Sequence, residues 1–332
     1  MQNQAYTIAV TGATGHIGAN LTRALVDAGH SVQALFHQPE KRQALNGLPV
    51  ELHQCDVLDI NSLRRAFAGM DIVVHLAGKI SLEGDPDGSV WRANVEGTRN
   101  VVQACLEVGV RRLIHFSSIH AFKYAASDPA VTEAHPPADE HCFAYDHSKA
   151  AGEQEVFKGI EQGLEALIFN PTAVIGPHDN WNAYSGQMLR DMMRGRLPAL
   201  VRGGFDWVDA RDLGAATLAA LQNGRSGERY VLSGHWASAR RLAELCAVHS
   251  GKAPPLLELP IWTALAGLPF LRLFSRMSGK RPLYTYESIM VLKHSNRNCS
   301  HEKALRELGY APRPLEDSIR DIYEWYKQEG RL

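Results

Sequence analysis

Over its first two thirds the chain alternates short apolar runs with longer stretches in which apolar residues recur every three or four positions. The runs Ile8–Val10, Val32–Phe36, Val50–His53, Ile72–Leu76, Leu113–Phe116 and Ala166–Phe169 have the length and near-continuous apolar character of strands buried on both faces. Helical periodicity follows most of them, as at Ile17–Ala28 and Glu96–Val108. This alternation predicts an α/β fold, a parallel sheet with helices on both faces. Beyond about Gly176 the pattern changes: helical stretches at Met188–Arg194, Ala239–Ser250 and Leu315–Lys327 dominate, with one late strand at Arg229–Leu232. The expected organisation is a sheet domain over 1–176, with return segments near 205–234, and a smaller, mostly helical lobe over 177–204 and 235–332.

Composition narrows the function classes. The chain has 332 residues, a formal net charge of −1 and a 45% hydrophobic share, which suits a globular protein of one large domain or two interleaved ones. No block of like charge is present, which argues against nucleic acid or a membrane surface as partner and leaves a small molecule. The five cysteines are widely spaced and form no CxxC pair, which argues against a disulfide framework and a zinc site and for a reducing cytoplasm. The polar N-terminus MQNQAYT has no secretory pattern. The longest weakly charged run, Leu259 to Leu271, is shorter than the ~20 residues a bilayer span needs. Fifteen histidines invite a metal hypothesis, but His135, His141 and His147 lack the i, i+4 pairing or cysteine partners of a zinc site, so no metal is expected.

Against this background the glycines become informative. Gly12, Gly15 and Gly18 follow the first strand and open the first helix, where free backbone N–H groups and the helix dipole favour a phosphate. A dinucleotide is the natural ligand. Within that loop Ile17 belongs to the cofactor contact, and His16 either donates to the pyrophosphate or packs at the turn. "CDVLD" sets Asp56 and Val57 beyond the third strand, where a carboxylate can accept from an adenine amino group. "HLAG" sets Ala77 and Gly78 beyond the fourth, where small residues admit a ribose. For Asp56 a helix cap, and for Gly78 a turn, are the plainer alternatives.

The chemistry lies further along. Ser117 and Ser118 end the fifth strand, and Tyr145 and Lys149 stand four apart on one helix face. A lysine ammonium close to a phenol favours phenolate and brings its pKa, near 10 when free, toward the working range. The pair is a tunable proton relay, with Ser118 holding the substrate oxygen while a hydride passes between substrate carbon and nicotinamide. Cofactor choice is set after the second strand, which reads "ALFHQPEKR": no carboxylate ends the strand, and His37, Lys41 and Arg42 suit a 2′-phosphate. NADP is thus favoured over NAD, although Glu40 offers a ribose acceptor after a loop rearrangement.

Together "TGATGHIG", "CDVLD", "HLAG", "NVEGT" (Asn94 to Thr98), "FSSIHAF", the Tyr145/Lys149 pair, "FNPTAVIGP" and "FDWVDARDLG" resemble the extended short-chain dehydrogenase/reductases, of the NAD-dependent epimerase/dehydratase superfamily. The segment Lys303 to Tyr326 is similar to that family's closing segment. Within the family the chain looks most like the branch of dihydroflavonol reductases, cinnamoyl-CoA reductases and 3β-hydroxysteroid dehydrogenases. The resemblance implies a Rossmann-type doubly wound sheet, a Ser118, Tyr145, Lys149 triad, and an approach of Pro171 to Val174 to the nicotinamide amide. It leaves a homodimer open. Ile119 and His120 stand where dehydratases of the family carry an Asp-Glu pair, and no diphosphate-binding arginine is evident in the second lobe, which weakens the nucleotide-sugar epimerase alternative. His120 either faces substrate or is structural. A sensor without chemistry is the remaining alternative, against which the intact triad argues. The loop Lys123 to Cys142 has the length of a substrate cover, and the apolar run Ile261 to Phe274 either walls a pocket or forms a lobe core.

Overall fold

The computed structural model describes residues 4–181, 183–278 and 284–332, and the side chains of all of these except 271–278. Strands β1 (Thr7–Thr11), β2 (Ser31–Phe36), β3 (Glu51–Gln54), β4 (Ile72–His75), β5 (Arg112–Phe116) and β6 (Glu165–Pro171) form where the apolar runs occur. Three short strands follow, β7 (Ala173–Ile175), β8 (Ala199–Val201) and β9 (Gly204–Asp209); then β10 (Arg229–Leu232), β11 (His235–Ser238) and β12 (Leu257–Leu259). The main sheet has seven strands in the order β10-β6-β5-β4-β1-β2-β3, every pairing parallel. The order reverses between β1 and β4, so a crevice opens at their carboxyl ends, the place where such sheets take ligands.

Helices cover both faces. In chain order they are α1 (His16–Asp27), α2 (Ile60–Phe67), α3 (Ser89–Trp91), α4 (Gly97–Val108), α5 (Ala144–Glu161), α6 (Tyr184–Met193), α7 (Ala210–Asn223), α8 (Ala239–Ser250), α9 (Ile261–Ser278), α10 (Tyr286–His294), α11 (Glu302–Leu308) and α12 (Leu315–Gln328). Leu21 and Leu25 of α1 and Leu213 and Ala220 of α7 pack with Ile8, Val10 and Ile114 on one face of the sheet. Leu63 and Phe67 of α2, Val101 of α4 and Val156 of α5 close the other with Ala9, Val73 and Leu113. A third core, with Leu189, Trp207, Leu242, Ile319 and Trp325, belongs to the second lobe.

Four departures from the sequence pattern matter. The edge strand β3 is exposed at all four residues, so the expectation of a strand buried on both faces fails there. The second lobe carries more than helices: β9 does not return to the main sheet but pairs with β7 and β11, and β8 pairs with β12. The loop Lys123 to Cys142 is pinned rather than free. Val131 N donates to Asn298 O, Ser300 N to Val131 O, and Asn296 Nδ2 to the Ala125 and Asp128 carbonyls. Among the described side chains of α9 only Ala264 and Leu268 are buried, against Val201 and Ile289, while Trp262 and Phe270 are exposed; the side chains of 271–274 in the run Ile261 to Phe274 lie outside the described residues.

Candidate active site

The floor of the crevice is built where β1 and β4 end. The Thr11 hydroxyl accepts from the Leu76 and Ala77 amides, both at 3.2 Å, and meets His75 Nδ1 at 2.7 Å, while His75 Nε2 reaches Thr98 Oγ1 at 3.2 Å. Burial holds the His75 imidazole neutral, its pKa pushed down to about 3. These bonds bring Gly12 against β4. Its φ is +68°, and a Cβ there would stand 2.8 Å from Ala77 N. A Cβ on Gly18 would stand 2.2 Å from Gly12 O, so the first helix sits on the turn with no room for a methyl. Gly15 differs. It precedes α1 in extended backbone, and its Cβ would meet nothing closer than Gly12 O at 3.2 Å, so the protein itself makes only a mild demand for glycine there. The cradle of free amides at the start of α1 fits a pyrophosphate.

Around this cradle the expected cofactor residues take different places. His16 Nε2 lies 3.1 Å from Gly176 O, and Asn20 Nδ2 bonds the carbonyls of His16 and Pro177, so the imidazole ties the glycine turn to the end of β7. Packing, of the two roles considered for His16, is the one the geometry displays. Ile17 lines the same core as α1. Asp56 Oδ1 accepts from Leu58 N at 2.9 Å and its other oxygen is 3.8 Å from His37 Nδ1; the helix cap is Asp59 instead. Val57 packs against Gly97. Gly78 faces Asn94, whose Oδ1 a Cβ would approach to 2.9 Å. Lys41 Nζ stands 5.8 Å over the Trp181 ring, whose Nε1 donates to Thr14 O in the glycine turn, and Arg42 lies over Phe36. Pro171 ends β6, buried, and Val174 lies half-buried in β7.

Ser118, Tyr145 and Lys149 gather at the carboxyl end of β5, the strand next to β4. Ser118 follows β5 and accepts from His120 N at 3.2 Å, and its hydroxyl acts to lower the pKa of the Tyr145 phenol. Tyr145 opens α5, and Lys149, one turn on, is buried and donates to Phe116 O at 2.8 Å. Here an expectation is corrected. Lys149 is spent on a backbone carbonyl, and the Tyr145 pKa is pushed up to about 12, burial outweighing the Ser118 hydrogen bond and Asp146 adding to the rise. Lys149 itself is lowered to about 8 by burial, with Glu153 acting in the opposite sense.

Several further residues support the site. Asn94 lies in a π-helical turn, Arg92–Glu96, between α3 and α4. Its Oδ1 accepts from Lys79 N, and its Nδ2 donates to Lys79 O and to Ser148 Oγ, which in turn donates to Tyr145 O. Asn170 Nδ2 bridges Ser118 O and Glu153, and Glu153 also faces Arg229 at 3.6 Å. The "NVEGT" segment was the available signal for Asn94; Glu153 could have been found as the next turn after Tyr145 and Lys149. His120, set aside between two roles, has Nδ1 3.3 Å from Asp146 Oδ1. Among the described residues no group of three His, Cys, Asp or Glu could hold a metal, and no helix is long and apolar enough to cross a membrane.

The glycine turn lies at the topological switch point of the parallel sheet, and the comparisons give the family. Residues 8–233 match the NAD dependent epimerase/dehydratase family, to which the chain belongs; the family binds a nicotinamide cofactor. The chain is 32% identical over 333 residues to sterol demethylase protein B of Methylococcus capsulatus (98% of this chain, 100% of the relative). It is 29% identical to 2-alkyl-3-oxoalkanoate reductase of Stenotrophomonas maltophilia over 337 residues (95% and 98%). A solved nucleoside-diphosphate-sugar epimerase from Pseudomonas aeruginosa superimposes with a TM-score of 0.79 at 25% identity, covering 99% of this chain and all of that one.

Proposed function

We propose that the protein is an NAD(P)-dependent oxidoreductase that transfers a hydride between nicotinamide and a carbonyl or secondary alcohol, working as a reductase on a small to medium, partly apolar substrate. The observation that supports this is that Ser118 and the Phe116 carbonyl bonded by Lys149 lie at the carboxyl end of β5, on the same edge of the parallel sheet as the glycine turn after β1. Gly12, Gly15, Gly18 and the α1 amides would hold the pyrophosphate, Asp56, Val57, Ala77 and Gly78 the adenosine side, and Pro171 and Val174 the nicotinamide side. Bound there, the nicotinamide supplies the hydride. The chain's own groups do the rest. Ser118 orients the substrate oxygen. Tyr145, a neutral phenol because burial lifts its pKa, gives that oxygen its proton. The Lys149 charge, present below about pH 8, stabilises the phenolate left behind.

A neutral phenol is the form that reduction requires. Dehydration is disfavoured because Ile119 and His120 replace the acid and base it needs. Relatives are named reductases while structural neighbours are titled epimerases, so epimerisation of a nucleotide sugar is the reading to compete against. NADP preference is supported by His37, Lys41 and Arg42 around the end of β2, with Lys41 held beside the glycine turn through Trp181. The test is a panel of aldehydes, ketones, steroids and nucleotide sugars assayed with NADPH and NADH by loss of nicotinamide absorbance. Carbonyl-dependent oxidation of NADPH is expected; interconversion of a nucleotide sugar without net cofactor turnover would overturn the reductase reading.

A further inference from the structure

Beside the Ser118 and Tyr145 hydroxyls the crevice carries a second hydrogen-bonding group. His120 sits in the 3-10 turn Ile119–Ala121 directly after Ser118, and its amide is fixed by the Ser118 hydroxyl at 3.2 Å. Its Nδ1 faces Asp146 Oδ1 at 3.3 Å, and its ring meets Tyr145 edge-on with centroids 6.0 Å apart. Among the described residues Asp146 has no other ion-pair partner. A carboxylate on one ring nitrogen fixes the imidazole's orientation and leaves the other nitrogen for a ligand. That ring keeps 27% of its side-chain surface accessible, whereas Asp146 behind it keeps 18%. The surroundings are acidic. Glu287 of α10 is desolvated and feels both Asp146 and Glu83, and Asp146 also acts on Tyr124 of the pinned loop; Cys142 completes the ring of titratable groups around Asp146.

We propose that His120, oriented by Asp146, contacts the substrate as a second recognition group. The substrate would then be an uncharged carbonyl compound with a further oxygen, as ester, ketone or hydroxyl, on a carbon close to the reacting one. The inference rests on the hydride-transfer reading above. One substrate can meet both sites because the imidazole packs against the phenol that serves the reacting oxygen. A free carboxylate is disfavoured there because Asp146, Glu287 and Glu83 repel it, and a simple ketone leaves the imidazole edge without a partner.

The experiment compares ethyl 3-oxooctanoate, the free acid 3-oxooctanoate and 2-octanone as substrates of the full-length protein with NADPH. The variants are His120→Gln, His120→Phe, Asp146→Asn and Tyr145→Phe. The wild type should prefer the ester over both other probes. Both His120 variants should lower kcat/KM for the ester about 10–100-fold, the worth of one hydrogen bond to a desolvated group, and change that for 2-octanone less than threefold, so the preference collapses. His120→Phe retains a ring against Tyr145 and therefore separates contact from packing. Asp146→Asn should lie between, through KM more than kcat. Equal losses on ester and ketone, an unchanged ester preference, or a wild type that prefers the acid or the ketone would overturn the inference. Full activity in Tyr145→Phe would instead overturn the hydride-transfer reading beneath it.

Discussion

Replacing Lys149 with methionine should stabilise the fold and disable the site at once. The ammonium is buried and its pKa falls from 10.5 to about 8, so at pH 7 keeping it charged inside the protein costs about 3 kcal/mol at 1.36 kcal/mol per unit. Methionine fills the same channel without charge. It also leaves the Phe116 carbonyl without its 2.8 Å donor, a loss of about 1–3 kcal/mol, while Glu153 keeps Asn170 and Arg229. The net gain at pH 7 is on the order of 1 kcal/mol, and its pH dependence is the sharper signature. Between pH 8 and 10.5 the unfolded wild type binds a proton that the folded form does not, so wild-type stability rises with pH there relative to the variant by up to about 3 kcal/mol. With an unfolding entropy of about 0.7 kcal/mol/K for 332 residues, that is about 4 °C in the difference between the two Tm values. Scanning both proteins by fluorimetry from pH 7 to 10.5 reads it directly. A difference in Tm that stays constant over that range would refute the buried, proton-losing lysine.

Other expectations follow from the same geometry. Reduction by the wild type should decline as pH rises through about 8, where Lys149 loses its charge, and this limb should vanish in Lys149→Met. Gly15→Ala should leave Tm within about 1–2 °C of wild type but weaken cofactor binding at least tenfold in a fluorescence titration, because the added methyl meets Gly12 O only at 3.2 Å and otherwise fills the phosphate cradle. Gly18→Ala should instead destabilise by about 1–3 kcal/mol in a denaturant melt, since its methyl would lie 2.2 Å from Gly12 O. Joint replacement of Lys41 and Arg42 by alanine should weaken NADPH by about 1–3 kcal/mol and leave NADH nearly unchanged; equal losses would reject the 2′-phosphate site.

The first half of the molecule was legible because its signals are local. The runs that became β1, β2, β4, β5 and β6 are predominantly apolar, and the glycine spacing fixes the strand-to-helix turn that follows β1. Arg229–Leu232 and Ala239–Ser250 coincide with their elements residue for residue. Strands such as β7, β8 and β12 have only three residues each, too few for a period to show, and β9 was missed as a strand because its partners lie on both sides of it in sequence. The pinning of the loop at Val131 depends on Asn298 and Ser300, far along the chain. For the site, residue identity pointed to Ser118, Tyr145 and Lys149, but partner choice was hidden: that Lys149 meets Phe116 O, and that His16 meets Gly176 O, are consequences of how α5 and β7 pack.

The central proposal, hydride transfer to a carbonyl with Tyr145 supplying the proton, is tested most directly by a single turnover with NADPH deuterated at the transferring position. Substrate is the best carbonyl compound from the panel, the product is read by mass spectrometry, and wild type is compared with Tyr145→Phe. The account predicts one deuterium on the product carbon with the wild type and a rate about 10²–10⁴ lower with the variant, the usual worth of a positioned acid, at nearly unchanged cofactor affinity. Full-rate deuterium transfer by Tyr145→Phe, or no deuterium in the wild-type product, would contradict it.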